Sequence, residues 1–132
     1  MIGWLRKLLS GTPTSVTDVA YEPKDGDLVS VSTDEGDFGV MKILAVDQGG
    51  VHVRLYVERL QARPASRRDV PTLSIAPFGP GHNFPMSLGH VPLTHPSFHA
   101  WEPVRLGVED VEEDELEGYR IWETAGGSGY FG

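Results

Sequence analysis

The fold is decided by the stretch Val51-His52-Val53-Arg54-Leu55-Tyr56-Val57-Glu58. Apolar side chains occupy its first, third, fifth and seventh positions, and the intervening positions carry the polar or amphipathic ones. This strict period of two predicts a β-strand that turns one face toward a core. Its other face then forms a row of four side chains of the kinds that dominate protein interfaces. The members of this row are His52, Arg54, Tyr56 and Glu58.

The residues before this stretch predict two further strands. Asp27–Ser32 alternates valine with serine, and Phe38–Val46 is a long apolar run. Turn-forming residues fill 33–36 and 47–50, which join the three strands as hairpins. The middle of the chain is therefore expected to be an antiparallel meander.

The residues after it predict shorter elements. Gln61–Val70 is expected to be a basic loop, 72–76 a short fourth strand and 87–93 an edge strand that contains Pro92. Thr94 is expected to cap a short helix that ends before Pro103.

The last predicted element is a helix that begins near Val111. Asp110 and Glu113 have the spacing of a capping box, and the acidic run 112–115 suits the positive end of a helix dipole. An apolar stripe formed by Leu116, Tyr119 and Trp122 is expected to dock this helix on the sheet. Gly118 either weakens the helix or permits the close approach of another backbone.

These elements predict one mainly β (α+β) domain, a small SH3-like bent barrel of about five antiparallel strands with short N-terminal, middle and C-terminal helices. Residues 1–15 are interpreted as a short amphipathic helix and linker. Residues 16–125 form the β-rich domain with its C-terminal helix, and 126–132 are a flexible glycine-rich tail.

Composition limits the classes of function. The 132 residues include no cysteine, which excludes disulfides and thiolate chemistry and suits a reducing compartment, so we expect a cytoplasmic protein. No apolar run is long enough for a membrane span. The net charge of −8 is carried by residues 69–132, which hold two basic and ten acidic side chains. Such a field disfavours nucleic acid and favours a basic protein partner.

We interpret the chain as a non-catalytic protein-binding module without a cofactor or a catalytic set. The polar row on residues 52–58 is the first part of the predicted partner-binding surface. The second part is the acidic run, Glu112, Glu113, Asp114 and Glu115.

Two alternatives remain open at this point. One is a metal-dependent enzyme or regulator built on the histidines of segment 82–99, because imidazole is a good metal ligand. These histidines are His82, His90, His95 and His99. The other is a sensor that takes a small molecule or a peptide in an aromatic groove.

Two motifs also carry a family resemblance. Residues 26–31 read Gly-Asp-Leu-Val-Ser-Val, and residues 36–44 read Gly-Asp-Phe-Gly-Val-Met-Lys-Ile-Leu. A Gly-Asp strand followed by a Gly-x-x-Lys-Val/Ile strand resembles small SH3-like immunity proteins that are encoded beside bacterial polymorphic toxins. The resemblance covers residues 25–123 and implies that the protein neutralises a cognate basic toxin by steric occlusion.

Overall fold

The computed structural model describes residues 21–75, 88–127 and 129–132. The predicted N-terminal helix and His82 lie outside these residues. The elements are β1 (Asp27–Ser32), β2 (Phe38–Val46), β3 (Gly50–Leu55), β4 (Leu88–Thr94), α1 (His95–Ala100), β5 (Val104–Val108) and α2 (Glu117–Thr124). Two 3-10 turns, Arg67–Asp69 and Glu113–Leu116, complete the secondary structure of this part of the chain.

The five strands form one antiparallel sheet in the order β4-β3-β2-β1-β5. An antiparallel sheet with two short helices confirms the mainly β, α+β class. β4 and β5 are its edges, so across the described residues the sheet is open rather than closed on itself. No helix in the described ranges is long and apolar enough to cross a membrane.

One face of the sheet carries the larger core. The alternating valines, leucines, isoleucine and methionine of β1 to β4 meet there in one cluster. Phe98 of α1 and Trp101 at its C-terminus pack against that cluster and are fully buried. Thr94 caps α1, because its Oγ1 accepts a hydrogen bond from the Ser97 backbone N–H at 3.2 Å. This confirms the capped helix that was predicted after the edge strand.

The opposite face of the sheet is also covered, which the alternation of β3 does not reveal. Leu28, Val40, Tyr56 and Val70 form a second buried cluster there. The basic loop closes over the same face, since one guanidinium nitrogen of Arg63 donates to the Ser30 carbonyl at 3.1 Å and to its hydroxyl at 2.7 Å. The predicted loop therefore covers this face of the sheet.

Several boundaries differ from the predicted ones. β3 ends at Leu55 and not at Glu58, because one guanidinium nitrogen of Arg59 binds the carbonyl oxygens of residues 56–58. Residues 72–75 form no strand, although the Ser74 carbonyl accepts a hydrogen bond from the Val57 N–H.

The C-terminal elements differ as well. β5 pairs with β1 in a segment where no strand was predicted. The last α-helix begins at Glu117, later than predicted, because a 3-10 turn precedes it.

Candidate functional site

A polar cleft lies where the acidic segment before α2 crosses the second face of the sheet. It has a volume of about 530 Å³ and is lined by two cationic and five acidic side chains. These are Lys42, Arg54, Glu109, Asp110, Glu112, Asp114 and Glu115. The cleft therefore brings one residue of the predicted strand row together with three residues of the predicted acidic run.

The floor of the cleft is a buried ion pair. Lys42 on β2 is only 3% exposed, and its Nζ donates to Oε1 of Glu115 at 2.9 Å and to the Asp110 carbonyl at 2.6 Å. A buried ammonium needs such partners, because burial without them disfavours the charged form. An Arg54 guanidinium nitrogen lies 4.0 Å from Oε2 of the same carboxylate.

Glu115 is held ionised by these contacts. Burial raises its pKa, but hydrogen bonds from the Glu112 backbone N–H at 2.8 Å and from Lys42, with the charges of Lys42 and Arg54, outweigh burial. The pKa of Glu115 therefore lies below its ordinary value. Its negative charge is neutralised within the protein, which leaves other carboxylates to act on a partner.

The rim of the cleft carries those other carboxylates. Glu112 and Asp114 are exposed, and Asp110 is exposed beside them. Glu109 on the same rim is paired with Arg67 at 2.8 Å. The rim thus presents negative charge to solvent above a floor whose own charges are paired.

The remaining predicted site residues lie elsewhere. Glu113 faces away from the cleft and pairs with Arg120 at 3.1 Å on the surface. Glu58 accepts hydrogen bonds from the backbone N–H and hydroxyl of Ser74. His52 is fully buried and Tyr56 is 6% exposed, so the expected polar strand row is not a continuous surface.

Lys42, Glu109 and Asp110 were missed by the sequence interpretation. Lys42 had a usable signal, because it is the single charge in the strand Phe38–Val46. A lysine in an otherwise apolar strand is rarely fully buried unless it is paired. The acidic segment 109–115 was the available partner of opposite sign.

A second polar cluster centres on His52 under α2. Its Nε2 lies 2.8 Å from Oδ2 of Asp47, and its Nδ1 lies 3.0 Å from Nε2 of His90. A carboxylate only accepts, so His52 donates to Asp47 through Nε2. The geometry thus joins His90, His52 and Asp47 in one chain of hydrogen bonds.

Aromatic rings enclose this chain. The ring centroids of Tyr119 and Trp122 each lie 4.6 Å from that of His52 in edge-on contact. Gly118 permits this packing, because a Cβ there would stand 2.8 Å from the Cβ of His90. Tyr119 and Trp122 of the predicted apolar stripe therefore do dock α2 on the sheet. Gly118 allows α2 to lie close to β4.

The pKa values of His90 and Asp47 follow from the surroundings of their side chains. Burial, followed by the charge of His52, lowers the pKa of His90 to about 4. Burial raises the pKa of Asp47, but hydrogen bonds from His52, Tyr130 and the Gly50 backbone outweigh it and lower the pKa. At neutral pH these hydrogen bonds therefore connect a neutral His90, through His52, to an ionised Asp47.

The other two described histidines contact different groups. Nε2 of His95 lies 2.9 Å from the Asp47 carbonyl oxygen, so it donates there, and His99 stacks edge-on against Phe98. Within residues 21–75, 88–127 and 129–132, no three histidine or carboxylate side chains form a group suited to a metal ion. Comparison of the chain with protein-family models, curated proteins and solved structures gives no match.

Proposed function

We propose that the protein is a non-catalytic binding module that captures a basic protein at the acidic rim of the cleft. The observation that carries this proposal is the division of charge in the cleft. The Lys42–Glu115 pair on the floor is internally satisfied, whereas Glu112 and Asp114 on the rim are exposed. Exposed carboxylates attract lysine and arginine side chains through a long-range field that salt screens.

Arg54 contributes an anchor beside this rim. Its side chain is 21% exposed, and its Nε is buried without a hydrogen-bond partner among the described residues. A partner can contact only the exposed part of this side chain. Partly buried arginines of this kind contribute strongly to protein interfaces.

Three basic side chains in and beside the loop that could have bound nucleic acid are used within the fold. Arg59 binds three backbone carbonyls, Arg63 binds β1, and Arg67 pairs with Glu109. Their charges are therefore largely consumed in holding the loop against the sheet. This distribution supports a protein partner rather than a phosphate backbone.

The resemblance to SH3-like immunity proteins narrows the proposal. On that basis the basic partner is a toxin domain, and the bent sheet belongs to the SH3-like class. Occlusion of a toxin needs a complementary surface and no turnover, which agrees with a rim of exposed acids. A toxin gene next to the gene for this chain would support the narrower proposal.

A second candidate function rests on the hydrogen bonds that connect the side chains of Asp47, His52 and His90. Carboxylate–histidine hydrogen bonds also occur where protons are transferred or where a metal ligand is oriented. This geometry supports a histidine-based enzyme or regulator. Metal analysis of the purified full chain tests it, and stoichiometric metal that is lost on His90→Gln would favour this candidate over the binding module.

Affinity capture tests the first candidate. Full chain with a tag is used as bait in an extract of its native host, beside the double variant Glu112→Gln/Asp114→Asn. A matched control, Glu22→Gln/Asp34→Asn, removes two exposed charges that do not line the cleft. We expect one basic protein to be retained by the wild type and the control but not by the rim variant; recovery of nucleic acid alone would contradict the proposal.

A further inference from the structure

The end of the chain pairs with the free edge of the sheet. The Phe131 N–H donates to the Pro92 carbonyl, and the Phe131 carbonyl accepts from the Thr94 N–H, both at 2.9 Å. Phe131 thereby forms a parallel bridge with Leu93 of β4. Composition predicts a flexible tail here, yet Phe131 makes two backbone hydrogen bonds to the edge strand, as a residue of an added strand would. Addition of an extended segment to an exposed sheet edge is a general mode of peptide recognition.

The tail places a tyrosine in a shaped seat. The Tyr130 hydroxyl lies 2.8 Å from both carboxylate oxygens of Asp47. Its ring covers the backbone of Gly49 and Gly50, where added Cβ atoms would approach the ring to 2.6 and 2.9 Å. The Trp122 ring forms the wall at 5.1 Å. Two glycines, an acid and an indole thus select an aromatic ring that bears a hydroxyl.

A third contact selects a glycine two positions later. A Cβ on Gly132 would lie 2.5 Å from Oγ1 of Thr94 and 2.6 Å from Cβ of Ser97, and φ of Gly132 is +106°. The Ser97 hydroxyl is fully buried beside this point and has no hydrogen-bond partner among the described residues. The backbone pairing of Phe131, the seat of Tyr130 and the close packing of Gly132 together select a segment of the pattern Tyr-x-Gly along the edge of β4.

The tail fills only part of this edge. It pairs at Pro92–Thr94, and no described strand pairs with the outer edge of Leu88–Val91. Phe131 remains 40% exposed, and the positive φ angles of Gly126 and Gly127 mark a bend before the tail. A longer strand in the same position gains backbone hydrogen bonds that the tail lacks. The tail of a second copy gains none, because it repeats the same contacts.

We propose that the edge of β4 with the tyrosine seat is a peptide-binding site for an extended partner segment of the pattern Tyr-x-Gly. Residues 129–132 of the protein itself occupy this site and compete with the partner segment for it. Because the tail is tethered, it competes at an effective concentration of about 1 mM, which a partner segment must exceed through additional contacts. This site is separate from the acidic cleft and does not depend on its function.

Peptide binding to the full chain tests the site. The double variant Tyr130→Ala/Phe131→Pro removes the ring and the N–H that donates to Pro92, and so empties the edge. The probe is the synthetic peptide Gly-Gly-Ser-Gly-Tyr-Phe-Gly, measured by calorimetry. We expect the peptide to bind the double variant, called the emptied chain, at least about tenfold more tightly than the wild type. In the wild type the tail competes with the peptide. Asp47→Asn in the emptied chain, or phenylalanine in place of the peptide tyrosine, should each weaken binding severalfold.

Three results would overturn the proposal. The first is that the peptide does not bind an emptied chain that still unfolds cooperatively. The second is that the peptide binds the emptied and wild-type chains with equal affinity. The third is a wild-type dimer that Phe131→Pro abolishes, because the occupant would then be the tail of a second copy. If the double variant does not fold, Tyr130→Phe removes only the hydroxyl; it should raise the peptide affinity severalfold, and an unchanged affinity would overturn the proposal.

Discussion

Nζ of Lys42 lies 2.9 Å from Oε1 of Glu115, across 73 positions of sequence. This ion pair joins the middle of the sheet to the turn that precedes α2. It determines where the acidic segment lies and which of its carboxylates are left for a partner.

Removal of the lysine should therefore destabilise the protein. Lys42→Met leaves a poorly solvated carboxylate without its main cation, which is expected to cost about 2 to 4 kcal/mol in the free energy of unfolding. Chemical denaturation at pH 7 measures the loss. Lys24→Met is the matched control, because Lys24 is exposed, and it should change stability by about 0.5 kcal/mol or less.

The same pair has a defined pH dependence. The pKa of Glu115 is lowered in the folded protein, so its contribution is complete above the ordinary value of 4.5 and is lost as the pH falls through the lowered value. The stability difference between wild type and Lys42→Met should shrink accordingly between pH 7 and pH 3. A constant difference would show that Lys42 acts through packing rather than through charge.

Trp122 should anchor α2. Its ring contacts His52, and its Nε1 donates to the Gly129 carbonyl at 2.9 Å. Trp122→Ala is expected to lower the unfolding free energy by about 2 to 3 kcal/mol, less than for a fully packed site because the ring is only partly buried. Ile121→Ala on the same helix is the control, since Ile121 is 63% exposed. Equal losses in the two variants would contradict docking through Trp122.

Gly118 should resist substitution by the best helix former. Alanine gains about 1 kcal/mol of helix propensity over glycine. At this position, however, its Cβ would stand 2.8 Å from the Cβ of His90 and push α2 from β4. We expect Gly118→Ala to lower the melting temperature, whereas Gly129→Ala, which meets no atom within 4 Å, should leave it unchanged. A gain in stability for Gly118→Ala would show that the helix is free to move.

His90 should make the protein sensitive to mild acid. Its pKa is about 4 in the folded state, below the ordinary 6.5, so the unfolded chain takes up the proton first. Stability that is complete above pH 6.5 is then lost as the pH falls toward 4. His90→Gln should reduce this loss, measured as the urea midpoint at several pH values. Burial also lowers the pKa of His99, so a double variant with His99→Gln should reduce the loss further.

The sequence predicted the elements whose signals are local. The bounds of β2 were predicted correctly because turn residues flank a long apolar run, and Thr94 revealed α1 through its capping chemistry. The alternation of Val104, Leu106 and Val108 was also a signal for β5. It is short, and it lies between Pro103, which ends one predicted helix, and the acidic run, which begins the next.

The environment of the predicted site could not be read from periodicity. Alternation identifies which side chains of β3 share a face, but not what covers that face. His52 is buried by rings from 67 and 70 positions further along the chain, Tyr119 and Trp122. The pairing of Lys42 with Glu115 is equally remote. Such contacts depend on where the acidic segment crosses the sheet, which no local pattern specifies.

The most direct test of the basic-partner proposal is the association rate with the captured protein at two salt concentrations. Biolayer interferometry would compare the wild type, the Glu112→Gln/Asp114→Asn variant and the Glu22→Gln/Asp34→Asn control at 50 and 300 mM NaCl. Exposed charges act mainly through long-range steering, so the rim variant should associate about tenfold more slowly at low salt and show little salt dependence. The control should behave like the wild type. Identical association rates and salt dependence in all three proteins would contradict the acidic rim as the binding surface.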